Sequence, residues 1–148
     1  METYFLKDDI KLICVNAKSF PDGITDAFDR LNQIIGSTDK RKRYGISRGA
    51  ENGAIIYKAA MEELREDNEL QRKMEKFVIR KGEYIGTRIV NYPDHMESIG
   101  KTFEKLLTNP RLDPNSYCVE IYLNEKDVRC MVRLVPKNKK DLGSSKNN

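Results

Sequence analysis

Hydrophobic positions along this chain switch repeatedly between a spacing that suits strands and one that suits helices. Ile10, Leu12, Ile13, Cys14, Val15 and Ala17 form a β-rich run within residues 9–18, which stops at Ser19-Phe20-Pro21 because proline cannot donate to a ladder. After Asp22-Gly23, the residues Ile24, Ala27, Phe28, Leu31, Ile34 and Ile35 recur at steps of three and four and end at Gly36, which predicts an amphipathic helix. A charged loop leads to Tyr44-Gly45-Ile46-Ser47, and Asn52-Gly53 is a hairpin signal joining it to a strand over Ala54–Ala60. Between Met61 and Lys76 the composition favours helix while the preceding strand runs toward it; the expectation is extended chain to about Leu64 and a short helical turn beyond. Phe77–Ile79 and Glu83–Val90 read as strands on either side of Lys81-Gly82. Pro93-Asp94 opens a second helix with Met96, Ile99, Phe103, Leu106 and Leu107 on one face, stopping before Asn109-Pro110. Ser116–Leu123 and Val128–Val135 complete a last hairpin across Asn124-Glu125-Lys126.

The order of elements repeats. Ile24-x-x-x-Phe28-x-x-Leu31 in the first helix is matched by Ile99-x-x-x-Phe103-x-x-Leu106 in the second, and each helix leads to a hairpin beginning near a tyrosine, Tyr44 or Tyr117. The expected fold class is α+β: duplicated βαββ (strand-helix-strand-strand) halves, about 9–64 and 75–136, in one antiparallel sheet with both helices on one face and a central cleft. Residues 1–136 are expected to form one domain, and the Lys/Asn/Ser/Gly composition of 137–148 a disordered basic tail.

Composition narrows the function. At 148 residues, 39% hydrophobic and 34% charged, the chain has the balance of a globular protein. The formal charge of +4 is concentrated in the tail, where residues 137–148 carry four lysines against one aspartate, so the body offers no basic footprint for nucleic acid and no direct DNA binding is expected. The run Lys40-Arg41-Lys42-Arg43 reads as a solvated loop. No apolar run reaches the ~20 residues of a membrane span. The N-terminal run lacks the basic and apolar regions of a secretory signal, so a cytoplasmic location is expected. Cys14, Cys118 and Cys130 sit inside apolar runs without CxxC spacing and read as buried free thiols. With His95 as the only histidine, neither a metal site nor a histidine-based triad is expected, and no cofactor is called for.

One residue breaks the apolar pattern of the last hairpin. Within Ser116–Leu123, Glu120 is the only side chain that carries a formal charge at neutral pH, among otherwise apolar and aromatic residues. Alternation places Cys118, Glu120 and Tyr122 on one face and Tyr117, Val119, Ile121 and Leu123 on the other, the second set being expected to pack under the helices. A carboxylate among tyrosines suits a desolvated organic cation. Alternatively, a two-residue turn would set Glu120 opposite Arg129 or Met131, and the first of these registers would make a plain cross-strand ion pair.

The run Val119-Glu120-Ile121-Tyr122-Leu123 resembles the Glu-x-Tyr signature of the GyrI-like small-molecule-binding family, which also occurs as effector-binding domains of AraC-type and MerR-type regulators and as stand-alone integron cassette proteins. Phe20-Pro21-Asp22-Gly23-Ile24, Tyr44-Gly45-Ile46-Ser47-Arg48, the stretch from Asn52 to Ala60 and Lys81-Gly82-Glu83-Tyr84 are similar to a stand-alone branch of it, so that the resemblance spans roughly residues 9–136. It implies a duplicated βαββ fold with an aromatic pocket between the halves and a glutamate that contacts cationic ligands. Glu120 matches that glutamate and Tyr122 the tyrosine after it; Tyr44, Tyr57 and Tyr84 match motif neighbourhoods and are carried over as pocket wall. The chain departs from the family in having no tryptophan and no helix-turn-helix segment.

These readings lead to a stand-alone binding protein for amphipathic or cationic organic molecules. Two other roles stay open: hydrolysis of reactive small molecules with Glu120 as general base and a tyrosine donating to the leaving oxygen, and a protein-interaction module acting on a gyrase-like partner. An RNA-binding sheet is disfavoured because its Lys/Arg-Gly-Phe/Tyr-Gly/Ala-Phe pattern is missing.

Overall fold

Among the described residues, eight strands form one antiparallel sheet, which curls into a half-barrel and carries three helices. The structure is a computed structural model that describes residues 1–36 and 39–137. In chain order the elements are β1 (Glu2–Leu6), β2 (Ile10–Asn16), α1 (Ile24–Ile35), β3 (Arg43–Gly49), β4 (Ile55–Glu62), α2 (Glu69–Arg72), β5 (Glu75–Ile79), β6 (Gly82–Ile89), α3 (Glu97–Leu106), β7 (Cys118–Tyr122) and β8 (Val128–Arg133). A single 3-10 turn, Tyr92–Asp94, precedes α3, so the second helix starts a turn later than the proline alone suggests.

The strand order is β1-β6-β8-β7-β3-β4-β2-β5, and the β3–β7 ladder is the one that joins the two groups of four. Strand β1 lies outside the expected repeats and pairs with β6. Although β5 and β6 are consecutive, they do not pair: β5 adds to β2, while β6 lies between β1 and β8. Residues 138–148, expected to form a disordered basic tail, lie outside the described residues.

Burial on both faces of the sheet explains its near-continuous apolar strands. Along β2, Leu12 and Cys14 enter one cluster with Tyr44, Ile46, Tyr84, Val119, Ile121 and Met131. Ile13 and Val15 enter another with Ala27 and Leu31 of α1. Helix α3 brings Phe103 and Leu106 onto Val128, Cys130 and Val132. Helix α1 ends where Gly36 takes φ 105°, a conformation that side-chain-bearing residues rarely adopt. Asn68 and Gln71 close a reciprocal capping box that starts α2, the short turn expected after the long strand.

Among the described residues no helix is long and apolar enough to cross a membrane. Cys14 and Cys130 are buried and Cys118 half-buried, all as free thiols. Burial pushes the Cys14 thiol up to about 12 and the Cys118 thiol up to about 11.

Candidate functional site

Strand β7 carries its carboxylate into the interior of the protein. Glu120 is 6% exposed, and its Oε1 accepts hydrogen bonds from the hydroxyls of Tyr57 on β4 at 2.8 Å and Tyr122 on β7 at 2.5 Å. The two hydroxyls are 3.5 Å apart. Aromatic rings enclose the trio: Phe20 stacks on Tyr57 with centroids 5.9 Å apart, Phe28 of α1 sets its edge against Tyr122 at 5.8 Å, and Tyr92 meets Tyr122 at 5.4 Å.

Room for this approach comes from β3. Gly45 lies directly across the ladder from Glu120, and a Cβ there would stand 2.1 Å from the Tyr57 hydroxyl and 2.5 Å from Glu120 Oε1. Glycine inside a strand marks such a close approach. A glycine inside a strand is thus the sequence signal for this site residue, whereas Phe28 reads only as part of a helix stripe and Tyr92 carries no motif.

The register of the last hairpin differs from both expected alternatives. Glu120 stands opposite Cys130, because three residues rather than two separate Leu123 from Asp127, whose carbonyl accepts from the Leu123 N–H at 3.0 Å. Asn124 holds this loop by accepting from the backbone N–H groups of Lys126 and Asp127 at 2.7 and 2.9 Å. Arg129 therefore does not reach Glu120 and instead packs over the Tyr4 ring, 4.4 Å from its centroid.

The face assignment of β7 is also corrected. Val119 and Ile121 pack with Tyr44 and Met131 in a cluster without helix residues, whereas Cys118 and Tyr122 pack with Phe103 and Leu106 of α3. Consequently the cleft beside Glu120 opens between helical elements and not on the opposite face. It has a volume of about 760 Å³ and is walled by Ile24 and Phe28 of α1, Tyr92, Met96 and Tyr122, with the 40–43 segment at its rim. Tyr122 lines the cleft, and its hydroxyl connects the cleft to the Glu120 carboxyl, which does not itself line it.

Of the five residues singled out from sequence, the fold brings Glu120, Tyr57 and Tyr122 together. Tyr44 and Tyr84 belong to the other cluster. The Tyr84 hydroxyl donates to the Arg80 carbonyl at 2.6 Å, and burial pushes its phenol up to about 12. It lines a separate cavity of about 110 Å³ with Phe77, Tyr117 and Arg133. The basic run is not uniformly solvated either: Arg41 binds Asp39 and Asp67, Arg43 donates to Asn32 Oδ1, and only Lys40 and Lys42 are exposed.

Burial raises the Glu120 pKa and outweighs the two phenol hydrogen bonds, which pull the other way. Burial, and next the proximity of Glu120, raise the Tyr57 and Tyr122 phenols too. A carboxyl raised by folding keeps its proton to higher pH than it does in the unfolded chain, at about 4.3. Its favourable contribution is complete below the unfolded value and is lost as pH rises through the folded one. Glu120→Gln, which keeps the acceptor oxygen but cannot ionise, is expected to match the parent in melting temperature at about pH 4 and to exceed it at about pH 8. Equal melting temperatures at both ends would show that the carboxyl ionises as freely in the folded protein as in water.

Among the described residues no three or more His, Cys, Asp and Glu side chains gather to hold a metal ion. No family model matches the chain, and no curated protein matches it. Among solved structures, several are similar in fold. A hydrolase from Listeria innocua superposes with a TM-score of 0.54 at 13% identity, covering 90% of either chain. An integron cassette protein from the mobile metagenome of Vibrio cholerae superposes with a TM-score of 0.66 at 14% identity over 91% of this chain and 100% of its own. The chain thus shares its curled α+β fold with an integron cassette protein, and the identity is low enough that the likeness speaks for the fold alone.

Proposed function

We propose that the protein binds an amphipathic organic cation in the cleft between α1 and the turn before α3, with the aromatic body against Phe28, Tyr92 and Tyr122 and the positive charge over Glu120. The observation that carries this reading is a buried carboxyl with two phenol donors and no cationic partner among the described residues, joined through the Tyr122 hydroxyl to an aromatic-lined cleft. Such a group gains most from a ligand that brings the missing charge, and aromatic walls attract the same cation.

The reading includes membership of the GyrI-like family and a duplicated origin of the two halves. Supporting the duplication, Gly45 and Glu120 are separated by the same 75 positions as Ile24 and Ile99 in the two helix stripes. Cross-strand partners share a face, and the ladders through Val15, Ala59, Gly45, Glu120 and Cys130 favour both long helices on the Glu120 side. The equivalent position holds a carboxyl in one half and a glycine in the other, so the site takes one ligand and not a symmetric pair.

Calorimetric titration with N-methylquinolinium is expected to show binding that Glu120→Gln weakens about tenfold or more, a difference of about 1.4 kcal/mol or larger. Equal affinity in the two proteins would reject the assigned role. A second reading, hydrolysis, draws support from the convergence of both phenols on Glu120 and from the hydrolase with a similar fold. In that case the raised carboxyl positions a water and a phenol donates to the leaving oxygen. Diol formation from a styrene oxide probe, abolished in Glu120→Gln, would favour hydrolysis over binding.

A further inference from the structure

We infer that Glu120 is a neutral carboxylic acid in the empty protein and that a bound organic cation takes the place of its proton. This rests on the binding role proposed above and adds its coupling to pH.

The surroundings of the carboxyl decide the point. Strand β3 presents Gly45, β4 the Tyr57 phenol, β7 the Cys118 thiol and the Tyr122 phenol, and β8 the Cys130 thiol. Helix α1 presents Phe28 to the two phenol rings, and the turn before α3 presents the Tyr92 phenol behind Tyr122. Every one of these groups is uncharged near neutrality. The charged side chains that line the cleft are Asp29 on α1, Glu125 in the β7–β8 loop, and the 39–43 segment, in which Arg41 and Arg43 are held by other partners; none of them bonds Glu120. No guanidinium or ammonium of the described residues bonds Glu120, and Arg129 is directed onto Tyr4. A buried carboxylate without a counter-ion neutralises itself by keeping its proton.

The bonding pattern gives that proton a position. Both phenols donate to Oε1, and no protein hydrogen bond among the described residues reaches Oε2. A neutral carboxyl with its O–H at Oε2 leaves Oε1 as the carbonyl-type acceptor for both hydroxyls. When a permanent cation settles over Tyr122, the Oε2–H bond breaks, the proton passes to buffer, and the carboxylate and ligand form an ion pair. No bond to the ligand forms and no electrons are transferred.

The test uses the full chain with N-methylquinolinium and its uncharged counterpart 1-methylnaphthalene, titrated calorimetrically between about pH 5 and about pH 8 in phosphate and in Tris. The expected result is cation affinity that rises about tenfold per pH unit below the Glu120 pKa, where about one proton is released per cation bound, and then levels, where none is released, while the naphthalene affinity stays flat. In ligand-free protein, the Glu120 carboxyl ¹³C resonance, assigned by its loss in Glu120→Gln, is expected to titrate above the ordinary glutamate range. Cation binding that is independent of pH and of buffer would overturn the exchange and leave the binding role standing. A carboxyl resonance with an ordinary midpoint would overturn it without reference to any ligand. Failure of the cation to bind at any pH would remove the binding role, and the exchange with it.

Discussion

Gly45→Ala is expected to lower stability by about 1–3 kcal/mol and to abolish cation binding, the cost of forcing a methyl group into a filled interior. The added carbon would meet the Tyr57 hydroxyl at 2.1 Å, Glu120 Oε1 at 2.5 Å and the Tyr57 ring at 2.8 Å. The Tyr57 ring cannot simply swing aside, because Tyr57 is 2% exposed and Phe20 and Phe28 pack against it. Either the phenol leaves the carboxyl or β3 shifts against β7. Chemical denaturation reads the first effect and cation titration the second. Gly49→Ala, on the same strand but with open space at its Cβ, serves as the control and is expected to leave both readings unchanged. A Gly45→Ala protein that keeps parental stability and affinity would mean that the close approach of Tyr57, Gly45 and Glu120 is not maintained in solution.

Arg41→Ala is expected to be the more damaging substitution for folding, at about 3–5 kcal/mol, because it strands a buried anion. The Arg41 side chain is 10% exposed and the Asp67 side chain 2%. Its guanidinium binds Asp67 Oδ1 at 2.8 Å, Asp39 Oδ2 at 2.9 Å and the Glu62 carbonyl at 2.9 Å. Asp67 is tied in turn to the Leu64 N–H at 2.8 Å, so it cannot turn to solvent without releasing that backbone group. The hydrogen bonds of Arg41 also hold the Asp39 carboxyl below the usual range. Arg41→Lys restores the charge but not the fork geometry, so partial recovery is expected. A shift in the denaturation midpoint worth less than about 1 kcal/mol for Arg41→Ala would place the pair with exposed ion pairs of little consequence.

Local patterns carried most of the element assignments. The α1 stripe from Ile24 to Ile35 and the break at Gly36 are written in neighbouring residues, and so are the strands around Tyr44 and Tyr57. The features that were not legible depend on residues distant in the chain. Strand β1 is a strand because β6, some 80 positions later, offers it a ladder. Whether Glu120 met Arg129, Cys130 or Met131 turned on one residue of loop length, and the Asn124 side chain that sets it makes its contacts only once the loop has closed. The facing of β7 was misjudged for a physical reason: both its sides are buried, so an alternation of Cys118 and Tyr122 with Val119 and Ile121 carries no in-or-out contrast. Among the tyrosines, parity decided. Gly45 pairs with Glu120, which sends neighbouring Tyr44 to the other side of the sheet, and the β3–β7 register responsible has no signature in either strand alone.

Glu120 and Tyr57 come from opposite groups of four strands, and their contact bridges the one seam between those groups. Neither group of strands on its own could bring the Tyr57 hydroxyl to the Glu120 carboxyl, however well it folded. A guest held there would act as a rivet across the junction, so amides near the middle of that seam, such as Ile46 and Val119, should exchange more slowly with solvent when the cleft is filled than when it is empty.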